Sequence, residues 1–167
     1  IQDELIQKKE HWGQLPLRTT FEGSPHREAQ DILIRGPRFD TLEMHELHNR
    51  VHCEFYETVL EFPKVKEAAF WILNGLQGTA LGRVILTKLP PSGQIYSHVD
   101  EGEAADWYDR FHLVISSEDE GNVFISGNEK QEMRTGELWW VNNHIEHSVQ
   151  NNTNEDRIHM ILDIQRT

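Results

Sequence analysis

His98, Asp100 and His147 are the residues whose types and spacing suit a metal. His98 and Asp100 stand two apart, so on an extended strand both point to the same side. A donor from a later strand would complete a face of two imidazoles and one carboxylate. Such a set suits non-haem ferrous iron and leaves coordination positions open. The stretch 137–147 offers two histidines for the third place. His144 falls in an Asn-rich turn, whereas His147 begins the next strand and is better placed.

Arg157 adds a second chemical element. Asn151-Asn152-Thr153-Asn154 reads as a turn between antiparallel strands, and a hairpin centred on Asn152 would set residues 147 and 157 opposite one another. The arginine would then lie beside the metal face, where its planar fork suits the far carboxylate of a dicarboxylate co-substrate. The plainer alternative is a surface pair with Glu155 or Asp156. Against that, Ile158, Met160 and Leu162 alternate with Arg157, His159, Ile161 and Asp163. One face is apolar, and the other is more polar than a core, as a polar cavity would require.

The elements that must position these groups are mostly strands. From residue 81 the hydrophobic period changes from helical to two, and runs rich in Val, Ile, Phe and Trp are separated by Gly, Asn, Asp and Pro turns. The predicted strands are 83–89, 94–98, 110–115, 123–126, 137–142, 147–150 and 157–164. This spacing predicts a mainly β fold, a sandwich or jelly roll, with helices from the N-terminal half packed outside it. Residues 1–40 read as irregular except for a short strand at Ile32-Leu33-Ile34. Residues 41–61 carry broken helix signals, and a clearer helix starts at Pro63 and repeats through Val65, Ala69 and Ile72 to Gly75. A length of 167 residues and the lack of any linker predict one domain, with 1–80 as support and 81–167 as the jelly-roll core.

Composition narrows the partners. With 16 Lys+Arg against 28 Asp+Glu the formal net charge is -12. Such a field repels phosphate backbones and anionic lipid surfaces, which leaves a small-molecule or peptide substrate and no nucleic acid or membrane. A local arginine can still hold a small anion. The single cysteine, Cys53, precludes an intramolecular disulfide and fits a reducing, cytoplasmic setting. No apolar run is long enough for a membrane span, and no leader opens the chain.

The span 81–164 resembles the aspartyl/asparaginyl β-hydroxylase family of iron(II)- and 2-oxoglutarate-dependent oxygenases. The resemblance is carried by Pro91-Ser92-Gly93 leading to His98, by Arg110-Phe111-His112-Leu113-Val114-Ile115, by Gly136-Glu137, by Glu146-His147, and by Arg157-Ile158 with Asp163. It implies a double-stranded β-helix of cupin-like form, with His98 and His147 as iron ligands and Arg157 as the 2-oxoglutarate anchor. It further implies that Arg110 and His112 help position the co-substrate, that Thr87 contacts it, and that dioxygen is the oxidant. Vertebrate members of the family lack a carboxylate ligand, whereas Asp100 supplies one here. An aspartyl or asparaginyl residue, or a related small amino acid, is the implied substrate.

Face parity adds Arg83 to the candidates. Positions 83, 85, 87 and 89 share one side of a strand, so Arg83 would point the same way as Thr87 and could bind a substrate anion. The acidic loop 101–109, with Trp107 and Tyr108, is the candidate lid and substrate contact. His45, His48 and His52 could line a helix face, but His45-Glu46-Leu47-His48 lacks the His-Glu-x-x-His spacing of a zinc protease helix. His11, His26 and His144 read as solvated. The competing classes are a jelly-roll binding module or sensor without catalysis, and a metal-dependent dioxygenase that does not use 2-oxoglutarate.

Overall fold

The structure, a computed structural model, describes residues 1–16, 18–38, 48–118 and 120–166. Among them are the strands β1 (Gln30–Gly36), β2 (Glu54–Phe55), β3 (Ala80–Leu89), β4 (Gln94–His98) and β5 (Asp109–Ser116). These are followed by β6 (Asn122–Ser126), β7 (Glu129–Glu132), β8 (Leu138–Val141), β9 (His147–Asn151) and β10 (Arg157–Gln165). They form a six-stranded sheet, in the order β2-β1-β3-β10-β5-β8, and a four-stranded sheet, β4-β9-β6-β7. From β3 onward successive strands alternate between the sheets, apart from the β6–β7 hairpin. That winding is a double-stranded β-helix, a jelly roll, as the sequence implied.

Two-residue alternation explains the layers. On the six-stranded sheet, Ile32, Ile34, Val84, Leu86, Met160, Leu162 and Ile164 join the outer cluster, and all are almost fully buried. The helix α2 (Pro63–Gly75) after α1 (Gln2–Gln7) covers this face with Val65, Ala69 and Ile72, spaced four and three apart. Burying each Val or Ile this way is worth about 1.5–3 kcal/mol. The opposite face looks into the space between the sheets. There Leu89 and Val114 meet Ile95, Phe124 and Val149 from the smaller sheet, while Leu33, Ile85 and Ile161 form a separate apolar patch.

Three local expectations change. Residues 41–47 lie outside the described residues, but 48–61 are not α-helical: β2 and a 3-10 turn, Glu57–Glu61, occupy that stretch. Of that stretch, Glu54 and Phe55 pair with Gly36 and Arg35 at the end of β1. The second change concerns β9 and β10, which are not a hairpin. β9 pairs with β4 and β6, whereas β10 pairs with β3 and β5. The Asn151 side-chain amide donates to the carbonyls of Leu89, Pro90 and Glu155, which fixes the turn as a corner between sheets. The third is the loop 101–109, which contains the short helix α3 (Glu103–Trp107) with Ala104 and Ala105 packed inward. Among the described residues no helix is long and apolar enough to cross a membrane.

Candidate metal centre

His98 ends β4 and His147 begins β9, and these strands pair so that the two residues face each other in register. Their ring centroids lie 4.3 Å apart. Asp100 follows just beyond β4, its backbone N–H donating to Asn143 O. One ligand atom from each of His98, Asp100 and His147 lies within 4.8 Å of the others. Both imidazoles are fixed by Nδ1 bonds to the backbone carbonyl two residues earlier, Tyr96 O at 2.7 Å and Ile145 O at 2.9 Å. With Nδ1 as donor, each Nε2 lone pair is left for a metal. Burial holds His98 below its ordinary imidazole range, so the ring is neutral near pH 7. The residue set therefore fits a divalent ion with the chemistry of ferrous iron.

Asp100 is oriented by Arg110, whose Nη1 donates to Oδ2. Its other oxygen, Oδ1, sits 3.8 Å from His98 Nε2. Burial, the largest single influence, disfavours the Asp100 charge, but Arg110, His147, His98 and Arg18 together more than offset it and the carboxyl stays below its usual range. Arg110 also grips the buried Asp163 through Nε at 2.8 Å and Nη2 at 3.1 Å. The donors of Arg110, assigned to the co-substrate by the resemblance, are thus engaged with two carboxylates. Arg110 reaches the metal site through Asp100.

Deeper between the sheets lies a cation of the opposite kind. Arg157 is 3% exposed and has no carboxylate partner among the described residues. Its Nη2 contacts His159 Nδ1 at 3.2 Å. Burial without a counter-charge pulls its guanidinium down to about 9, so it remains a cation at neutral pH. His112 and His159, with ring centroids 5.6 Å apart, are held well below their ordinary range by burial and then by Arg157. His112 Nδ1 and His159 Nε2 are buried without a hydrogen-bond partner among the described residues. Buried polar atoms of this kind require a ligand or water, and a cation among neutral donors requires an anion. Thr87 belongs to the same inner face, opposite His159 in register, and its hydroxyl accepts from Arg18 Nη2 at 2.7 Å.

Arg18 belongs to an irregular segment, residues 18–29, that straps the two sheets together. It forms a bidentate pair with the buried Asp31 of β1, at 2.6 and 3.1 Å. On the other side, Pro25 O accepts from Tyr96 N on the open edge of β4, and Arg27 lies 3.2 Å over the Tyr96 ring. Between these anchors the His26 ring packs edge-on against His98 at 4.8 Å. His26 is therefore not a solvated residue. The segment has no hydrophobic period, and Arg18 finds partners 13 and 69 residues away, so no local signal marks either residue.

A cleft of about 320 Å³ opens in front of His98 and Asp100. Arg83 lines it, as face parity predicted, and so does His48. Trp107 does not: α3 turns Ala104 and Ala105 inward and leaves Trp107 52% exposed. His144 is exposed, 3.8 Å from Asp106, and takes no part in the cluster. His45 lies outside the described residues, and His52 is exposed. Cys53 is buried and its thiol is pushed up to about 11 by burial, which rules out a thiolate nucleophile at neutral pH.

The family model described as aspartyl/asparaginyl beta-hydroxylase matches residues 39–167. The chain belongs to the aspartyl/asparaginyl β-hydroxylase family. Among solved structures, an oxidoreductase of the 2OG-Fe(II) oxygenase family from Burkholderia pseudomallei is 12% identical. It covers 90% of this chain and 75% of its own, with a TM-score of 0.57, and so shares the fold. A cupin domain from Bordetella pertussis is 14% identical over 53% of this chain and 85% of its own, with a TM-score of 0.41. A comparison with curated proteins finds no match. The match to the β-hydroxylase family begins at residue 39, so the strap carrying Arg18 and His26 lies outside it.

Proposed function

We propose that this β-hydroxylase family member is an iron(II)- and 2-oxoglutarate-dependent dioxygenase that hydroxylates an unactivated C–H bond. The substrate would be an aspartyl or asparaginyl residue or a related small amino acid. The observation that carries this reading is the pairing of the His98, Asp100 and His147 cluster with a buried, acid-free Arg157 in the same space between the sheets. A metal alone would not call for that arginine. A co-substrate with one end on the metal and a carboxylate at the other end uses both.

Iron would be held by His98 Nε2, His147 Nε2 and Asp100 Oδ1. With 2-oxoglutarate and dioxygen, it supplies the oxidising power to replace C–H by C–OH, giving succinate and carbon dioxide. The chain's own residues bind, orient and exclude water. Arg110 holds one oxygen of Asp100 so that the other faces the cluster. Arg157 takes the distal carboxylate, and His112 and His159 offer uncharged ring nitrogens beside it. Thr87 Oγ1 accepts from Arg18, leaving its own proton for the co-substrate. Phe124, its ring 5.8 Å from that of His147, seals one side of the space against water, and the strap closes the edge of β4.

The test is optical. Purified protein mixed anaerobically with iron(II) and 2-oxoglutarate should develop the weak metal-to-ligand charge-transfer absorption in the visible. Arg157→Ala should lose the band at the same concentrations, while His144→Ala keeps it. A wild type without the band, or one whose band is indifferent to Arg157→Ala, removes the co-substrate from the site.

A further inference from the structure

His98 and His147 are oriented by the same device, an Nδ1 bond to the carbonyl two residues earlier, but the two accepting carbonyls are held differently. Ile145, the acceptor for His147, lies in the turn before β9, where its own N–H donates to Asn142 O at 3.3 Å. Tyr96, the acceptor for His98, lies within β4, which ends the four-stranded sheet and has β9 as its neighbour there. The register of that ladder shifts between Ile95 and His98, and neither Tyr96 nor Ser97 has a partner in β9. The ladder therefore does not fix the Tyr96 peptide.

The strap supplies what the ladder does not. Pro25 O accepts from Tyr96 N at 2.9 Å. Glu28 spans two residues of β4, with Oε2 accepting from Gln94 N at 2.9 Å and Oε1 from the Tyr96 hydroxyl. With Arg27 3.2 Å over its ring, Tyr96 is gripped at its backbone, its ring face and its hydroxyl. The strap is itself anchored on the other sheet. The Ser24 hydroxyl donates to Arg18 O and accepts from His26 N, and Arg18 is paired with Asp31 of β1. A path of contacts thus runs from β1 through residues 18–28 to the carbonyl that accepts from His98. The strap's part of that path precedes residue 39, where the family match begins.

We infer that the strap is part of the metal centre, with Arg27 and Glu28 as positioning residues that act on His98 through Tyr96. By holding the Tyr96 carbonyl they keep the His98 proton on Nδ1 and its Nε2 lone pair directed at the cluster. His147 is independent of them. This goes beyond the oxygenase reading and rests on it only in taking the cluster as a metal site.

Long-range proton–nitrogen NMR spectra of the metal-free full chain report the tautomer of each ligand histidine at about pH 8, above the ordinary imidazole range. In wild type both rings should carry the proton on Nδ1. Glu28→Ala should move His98 toward a mixture with the Nε2–H form and leave His147 as it is. Glu28→Gln keeps one acceptor and should recover much of the Nδ1–H form. Anaerobic titration with cobalt(II) gives the second reading. Glu28→Ala should weaken cobalt by about tenfold or more and alter its visible ligand-field bands, the scale for losing a group that orients a metal ligand, and Arg27→Met should weaken it a few-fold. A His98 that keeps the wild-type tautomer and cobalt affinity in Glu28→Ala would overturn the proposal. So would tautomer mixtures that arise equally at His98 and His147, since these mean a general loosening of the fold. Should Glu28→Ala fail to fold, Tyr96→Phe removes only the hydroxyl contact and is held to the same two readings. Wild type that binds no cobalt removes the metal reading, while the tautomer difference between the two histidines still decides whether the strap holds His98.

Discussion

Arg110 and Arg157 are both buried on the inner face of the six-stranded sheet, and they have opposite electrostatic fates. Arg110 lies between Asp100 and Asp163, which raise its guanidinium above its ordinary range despite burial. Arg157 has burial alone, and its affinity for a proton falls to about 9. Removing an ion from water costs several kcal/mol unless a partner compensates it. The first arginine has that compensation within the chain and serves the fold and the orientation of Asp100. The second lacks it, which is tolerable only where a ligand or solvent supplies the missing charge. Arginines on one face thus separate into structural and ligand-binding by their partners.

The contrast breaks first at Arg110. Arg110→Met would leave Asp163 buried with an uncompensated charge and Asp100 without its clamp, and should destabilise the fold by about 3–5 kcal/mol. Urea unfolding of the metal-free protein measures this, and a loss under about 1 kcal/mol would mean that the ion pair is not structural. Arg157→Met should do the reverse. The metal-free fold keeps its stability or gains some, because a costly buried cation is replaced by an apolar chain of similar length. Affinity for 2-oxoglutarate should fall by about 2–5 kcal/mol, the range for truncating one partner of a buried charge pair. Titration of the charge-transfer band gives that number, and strong destabilisation of the ligand-free fold by Arg157→Met would erase the distinction.

What the sequence revealed of this contrast followed the range of the signal. Alternation within a strand is local, so the strands from 83–89 to 157–164 were legible to within a few residues, as was the polar face of Arg157, His159, Ile161 and Asp163. His98 and Asp100 do come together, but Asp100 lies beyond the end of β4 and is placed by Asn143 O and Arg110, not by alternation along a strand. What failed depends on distant partners. Asn151 turns the chain from one sheet to the other by bonding Leu89 O, 62 residues away, and nothing near Asn152 distinguishes that corner from a hairpin. His147 and Arg157 therefore reach the same space from opposite sheets, not across a ladder. Arg18 and His26 were invisible because their segment has no period, and β7 because its residues Glu129–Glu132 are all exposed and polar. The two partners of Arg110 lie 10 and 53 residues away, so its engagement with Asp100 and Asp163 could not be told from a co-substrate role.

The smallest effect sharpens the contrast through its sign. An unfolded chain keeps an arginine proton to above about 12, whereas the folded chain releases it from Arg157 at about 9. Between these values the unfolded state binds more protons, so the contribution of Arg157 to stability rises with pH, by at most about 1.4 kcal/mol per pH unit. Arg110 has a raised value, so its contribution is fully present throughout this window and flat. The difference in unfolding free energy between wild type and Arg157→Met isolates the effect from tyrosines and lysines titrating in the same range. From pH 8 to pH 10.5, roughly the window set by that linkage, metal-free wild type should gain on the variant. Saturating 2-oxoglutarate with a bound redox-inert divalent metal should abolish the gain, because the distal carboxylate returns the counter-charge and restores the proton. A difference that is flat without ligand would mean that Arg157 already has its counter-charge in the chain, and the comparison with Arg110 would fail.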